Sequence, residues 1–171
     1  MNSTRLLIKF LEEQNASMWM NKINFIEKYY SKRDAFVLMN VDTPYYYNTP
    51  QYMAGIQIYK KTSYTIKFIQ EWLKYCQDKR ILTDEKNSMG KENYLGFKDN
   101  RHDQTILSLL IKKYREANSG YPNMTVNELK HMKHVKMPNI LCIYQRTKFT
   151  DYEDIRQKCK KLLKLQEHYI I

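Results

Sequence analysis

Glycine and proline are scarce in this chain of 171 residues, with four of each. That scarcity argues against long flexible linkers. The four glycines are also dispersed, so no Gly-rich phosphate loop exists. The three cysteines, Cys76, Cys142 and Cys159, lie far apart and are odd in number. Each sits in an apolar context and reads as a reduced core residue, which points to a reducing compartment. No CxxC pair, HExxH motif or nucleophile elbow occurs, and no Asp-x-Asp pair. No apolar run approaches the ~20 residues that span a bilayer. Leu6-Leu7-Ile8 is interrupted by Lys9 and followed by Glu12 and Glu13, so it does not read as a signal peptide. A cytoplasmic location is the simplest expectation (a host cytoplasm if the source is a virus).

What is present is charge and aromatic surface. Lys and Arg number 29 against 18 Asp and Glu, a net charge of +11. Such a balance suits an anionic partner. The lysines are scattered singly along amphipathic segments, however. The densest run is Lys158, Lys160, Lys161 and Lys164, and no Arg-rich tract or nucleic-acid module is recognisable. Their scatter weighs against nucleic acid as the partner. Lys, Asn, Ile and Tyr are abundant while Ala, Gly and Pro are scarce, a mark of an AT-rich genome. Hydrophobic residues make up 43%, enough for the core of one ordinary domain.

Taken in order, residues 3–14 read as a helix with Leu6, Leu7, Phe10 and Leu11 on one face. Met18-Trp19-Met20 reads as a short strand, and 21–34 are mixed. Ser31 is placed to cap a short helix over Ala35 to Met39, with Asp34 three residues on, although the same residues equally read as a strand. The stretch Asp42 to Pro50 holds two prolines and Tyr45-Tyr46-Tyr47. It reads as extended or turn geometry. The tyrosines are either a stacking platform for sugars or bases, or a lid over the core edge. Gln51 to Tyr59 reads as a strand, whose Gly55 marks a bulge or a close approach. A turn ending in a cap leads to a helix over 64–77, with Phe68, Ile69, Trp72, Leu73 and Cys76 in one core stripe.

Residues 78–100 form a long polar excursion, and such loops are often functional. Beyond 115, the sequence predicts a loop at 118–122 and an ambiguous stretch over 126–135. A short buried strand follows at 140–144, then a basic amphipathic helix in the tail 151–171. His131 and His134 stand three apart, a spacing that suits a shared metal on a helix, but no third ligand is evident.

The stretch Arg101-His102-Asp103-Gln104 opens the other clear helix, over 101–115. Ile106, Leu107, Leu110, Ile111 and Tyr114 recur at helical spacing behind it. Asn100 precedes the first turn in the manner of a cap. The polar cluster is therefore expected at a helix N-terminus, whose unpaired N–H groups favour a carboxylate or an anionic ligand. It equally reads as a capping Asp103 beside two surface residues.

Three segments together resemble a known family. They are Gln51-Tyr52-Met53-Ala54-Gly55-Ile56-Gln57-Ile58 with Glu71-Trp72 and Cys76, then Ile81-Leu82-Thr83-Asp84-Glu85, then Arg101 to Leu110. Their order is similar to the C-terminal half of GT-A-fold nucleotide-sugar glycosyltransferases, of the bacterial-polysaccharide and large-DNA-virus type. The resemblance spans roughly residues 1–148.

It implies an α/β fold: a mixed sheet flanked by helices, corresponding to the acceptor-side half of a GT-A nucleotide-diphospho-sugar transferase. Residues 1–150 would form that domain and 151–171 a separate basic helix. It implies transfer of a sugar from a nucleotide-sugar donor to a glycan or other hydroxyl acceptor. Asp103 would face the reacting sugar as general base or polar anchor. Gln51, Arg101, His102 and Gln104 would bind substrate, Ala54 and Gly55 would let the backbone approach the sugar, and Arg146 and Lys148 would neutralise diphosphate.

Mn²⁺ or Mg²⁺ would accompany the donor, although no ligand set for it is readable in this chain. The family's nucleotide-binding half and its Asp-x-Asp site have no counterpart here. A truncated enzyme, a second chain carrying that half, or a non-catalytic remnant or partner subunit, are the alternatives. A basic nucleic-acid-binding protein ranks below them.

Overall fold

The computed structural model describes residues 8–9, 11–13 and 15–114, and the backbone of 140–144. Its architecture is mixed α/β, an antiparallel sheet with helices packed against it. Three strands, β1 (Met18–Ile26), β2 (Pro50–Lys60) and β3 (Ile140–Tyr144), run in the order β1-β2-β3 with β2 central. Residues 8–9 and 11–13 are helical, and Ile8 and Leu11 are buried. The expectations beyond residue 114, apart from the strand at 140–144, lie outside the described residues.

β1 runs six residues beyond the expected Met20. Its second half alternates, with Lys22 and Asn24 exposed and Ile23 and Phe25 half-buried. That period of two is the strand signal which the mixed composition hides. The pairing of β1 with β2 is not regular. Met20 faces Gln57, but Lys22 faces Tyr52, so two steps along β1 match five along β2. The surplus is the segment Met53 to Ile56, a bulge around Gly55. Its buried backbone must find partners elsewhere. Gln57 Nε2 donates to the Ala54 carbonyl at 2.6 Å, and the Ala54 N–H donates to Gln104 Oε1 at 3.3 Å.

Short helices follow β1: α1 (Glu27–Tyr30), α2 (Arg33–Leu38) and α3 (Pro44–Tyr47). Ser31 does not cap α2, whose N-cap is Lys32 with no side-chain bond. The Ser31 hydroxyl instead donates to Glu27 Oε2 at 2.6 Å. The region expected to be free of helix holds the turn α3, because Pro44 falls at its first position, where a missing N–H costs nothing. Tyr46 and Tyr47 pack on the core while Tyr45 stays 59% exposed. Tyr47 lies 4.4 Å from the Tyr94 ring.

α4 (Ser63–Cys76) starts at a reciprocal capping box between Thr62 and Thr65. It buries Phe68, Ile69, Trp72 and Cys76 as the stripe predicts. After the single turn α5 (Lys79–Leu82), α6 (Asp103–Lys113) enters the middle of the molecule. It packs on β2 and α4, and every residue from Thr105 to Lys112 is buried. A helix covered on all sides is the centre of a core rather than its edge. Among the described residues, no helix is long and apolar enough to cross a membrane.

The polar excursion between α5 and α6 is held by side chains in place of a backbone ladder. Buried Asp34 accepts from Ser88 N–H at 2.7 Å, Ser88 Oγ at 3.0 Å and Met89 N–H at 3.1 Å. Asp42 accepts from Arg33 Nε at 3.2 Å, Lys91 Nζ at 2.8 Å and Tyr94 Oη at 2.5 Å. Burial alone would raise the Asp42 carboxyl. The bonds from Lys91, Tyr94 and Arg33 outweigh it and hold the group below the usual carboxylate range. Asn93 Oδ1 accepts the Arg33 N–H at 2.8 Å.

Candidate functional site at the N-terminus of helix α6

The site begins with a polar seam between α6 and the sheet. Gln104, Ser108 and Lys112 recur every four residues, so they share one face of the helix. Lys112 Nζ lies 2.5 Å from Glu27 Oε1, and Ser108 Oγ donates to the same oxygen. Ser108 Oγ also accepts the Tyr52 N–H at 2.8 Å. Glu27 Oε2 accepts from Ser31 Oγ and, at 3.0 Å, from Gln51 Nε2. Glu27 is fully buried and Lys112 is 4% exposed. Burial pushes the Lys112 ammonium below its ordinary value, and the Glu27 charge opposes that push. Toward the surface, Gln104 Nε2 donates to Gln51 Oε1 at 2.9 Å.

The seam opens at the first turn of α6. Asn100 does not cap the helix. It is buried, where its Oδ1 accepts the Lys32 N–H at 3.3 Å and its Nδ2 donates to the Ile81 carbonyl at 3.0 Å. The N-cap is His102, with φ 49° and ψ −117°. A left-handed φ in a residue with a Cβ stores about 1–3 kcal/mol, which surrounding contacts must hold in place. One such contact is with Asp84, whose Oδ2 lies 3.2 Å from His102 Nε2. Asp103 follows, 8% exposed, and its carbonyl accepts the Trp72 indole N–H at 3.1 Å.

An aromatic face adjoins this turn. Phe25 and Tyr30 stack with centroids 4.4 Å apart. The Arg101 guanidinium lies 5.2 Å from the Phe25 ring and 5.4 Å from the Tyr30 ring. The Tyr30 carbonyl accepts from the Arg101 N–H at 3.1 Å, Gln51 Nε2 at 3.2 Å and Thr105 Oγ1 at 3.1 Å. Those bonds fix the face to the helix start.

The structure thus gathers Gln51, Ala54, Arg101, His102, Asp103 and Gln104 around one end of α6. Gly55 lies half-buried in the bulge, next to Ala54. The amides of Gln51 and Gln104 and the Ala54 N–H bond one another, so these groups set the backbone of the site. At the turn itself Arg101 is exposed, His102 half-buried and Asp103 buried. Arg146 and Lys148 lie outside the described residues, as do His131 and His134. Among the described residues, no group of three or more His, Cys, Asp or Glu side chains is placed to hold a metal ion.

Sequence reasoning passed over Glu27, Ser108, Lys112, Phe25 and Tyr30. The polar residues at four-residue spacing inside the apolar run of α6 were the available signal for Ser108 and Lys112, and Glu27 had none. Comparison with protein-family models, curated proteins and solved structures finds no match.

Proposed function

We propose that this chain acts as a glycosyltransferase of the GT-A type. In this reading it moves a sugar from a nucleotide-sugar donor to a hydroxyl of a glycan, and the described α/β body is the acceptor side. One observation carries the reading. The segments that resemble the family are far apart in sequence, yet they meet at one turn. Gln51 and Ala54 bond Gln104, Trp72 bonds Asp103, and Asp84 pairs with His102. A hydrophobic core alone does not require four polar ties to converge on a strained N-cap.

In the proposed reaction the acceptor oxygen bonds to the anomeric carbon as the bond from that carbon to the diphosphate breaks. Asp103 takes the proton of the acceptor hydroxyl as general base, or anchors the sugar while solvent takes it. Gln104 and Gln51 hold the helix start against β2. Arg101 and His102 line the acceptor.

Asp103→Asn keeps the shape of the side chain and removes its basicity. The variant is expected to melt close to the wild type and to lose transfer by about 100-fold or more. An unchanged rate would remove Asp103 from the chemistry. A donor that binds only the folded protein raises its melting temperature. A thermal-shift screen of nucleotide sugars with Mn²⁺ or Mg²⁺ is therefore expected to show a metal-dependent shift. No shift from a folded protein would favour a non-catalytic partner or remnant of such an enzyme.

A further inference from the structure

The face beside the helix start is built from rings and cations in unequal balance with acids. Phe25, Tyr29 and Tyr30 are half-buried, so each ring keeps some surface toward solvent. Lys28 Nζ lies 5.2 Å from the Tyr29 ring, and Lys98 Nζ lies 5.6 Å from the Tyr30 ring. Arg101 lies over the Phe25–Tyr30 stack. Against these three cations stands Asp99, half exposed, whose Oδ2 is 3.5 Å from Arg101 Nε. An exposed pair at that distance contributes little. Glu27, next to Lys28 in sequence, is buried and answered by Lys112, and Asp103, two residues after Arg101, is itself buried. Lys28 donates to the neutral Asn48 at 3.0 Å.

The backbone that carries the rings is pinned. Tyr30 is fixed through the bonds to its carbonyl, and the Tyr29 carbonyl accepts the Lys98 N–H at 2.9 Å. A preorganised surface loses little conformational freedom on binding.

We propose that this face binds an acidic glycan, with a uronic-acid ring lying on the aromatic surface and its carboxylate between Arg101 and Lys98. This names the acceptor class of the glycosyltransferase reading and rests on that reading for its role, though not for the binding itself. Rings supply the apolar surface that the faces of a pyranose match. Cations supply the partner that a neutral sugar does not need. A guanidinium forks onto a carboxylate in two-point geometry. A sugar-free polyanion would be served by lysines alone and gains nothing from the stack.

The test is calorimetry of the full chain with three probes: an oligogalacturonate, a neutral galactose oligosaccharide of the same length, and inorganic polyphosphate. Oligogalacturonate is expected to bind at least tenfold more tightly than the neutral oligosaccharide. Arg101→Gln is expected to remove most of that preference, and Phe25→Ser to weaken oligogalacturonate several-fold while leaving polyphosphate unchanged. Equal binding of acidic and neutral sugars would overturn the proposal, and so would polyphosphate binding as tightly as oligogalacturonate. No binding of either sugar by folded protein overturns it too. Circular dichroism of each variant separates unfolding from lost contact, and Lys98→Gln, which touches no buried group, repeats the charge test if Arg101→Gln fails to fold.

The outcomes are separable from those of the transferase reading. Acidic-glycan binding without any transfer leaves the face in place and removes the enzyme. Transfer to a neutral acceptor does the reverse.

Discussion

Glu27 shows how one side chain decides what its neighbours must be. A carboxylate in a fully buried position is tolerable only when paired and hydrogen-bonded. Glu27 has Lys112, Ser108, Ser31 and Gln51 around its two oxygens. Removing one partner of a buried ion pair costs about 3–5 kcal/mol, because the other charge is left uncompensated. Lys112→Met is therefore expected to destabilise the fold by about that amount, read as a lower midpoint in urea. Adding Glu27→Gln to it is expected to recover part of the loss. A double variant no more stable than Lys112→Met would show that the pair is not coupled. At this scale the sequence conceals most. Glu27 stands between Ile26 and Lys28 in a stretch of mixed character, and only its distant partners make it a core residue. Lys112 reads as the solvated edge of a helix until burial on all sides of α6 is known.

The helices α4 and α6 were legible because long apolar stripes at helical spacing leave few alternatives. β1 was legible only in its first three residues, since its second half alternates at half exposure. The order within the excursion 83–102 was not legible. Its fixings, Asp34, Asp42 and Asn100, lie up to 68 residues from the groups they hold. Two glycines in that excursion have positive φ, Gly90 at 72° and Gly96 at 85°. They differ in what a methyl group would meet. At Gly90 nothing lies within 4 Å, whereas at Gly96 a Cβ would stand 3.0 Å from the Tyr29 ring. Gly90→Ala is expected to cost about 1–2 kcal/mol through backbone conformation alone. Gly96→Ala is expected to cost more, since Tyr29 must also move. Equal thermal shifts for the two variants would show that Tyr29 yields freely.

For the molecule as a whole, acid is the informative stress. Asp42 joins α2 to the long excursion through Arg33, Lys91 and Tyr94. Its folded value lies below the ordinary 3.8, so the unfolded chain takes up the proton first. The stability from this cluster is therefore complete above about pH 4 and is lost as pH falls through the lower folded value. Wild type and Asp42→Asn should differ most in melting temperature near neutrality, and the difference should shrink below pH 4. A constant difference down to pH 2 would mean that the carboxylate charge is not what joins these parts. The site at the helix start was half legible on the same scale. Its polar motif shows in the local sequence. The aromatic face does not, because Phe25 and Arg101 become neighbours only when the end of β1 reaches α6.

The bond from the Trp72 indole to the Asp103 carbonyl has an optical consequence. The chain has two tryptophans, and both are buried. Trp72 is hydrogen-bonded to the turn at which a ligand would arrive. Its emission should shift in wavelength and yield whenever that turn moves. Trp19→Phe would leave Trp72 as the only indole. The protein would then carry its own fluorescent reporter of events at Asp103, with no label attached.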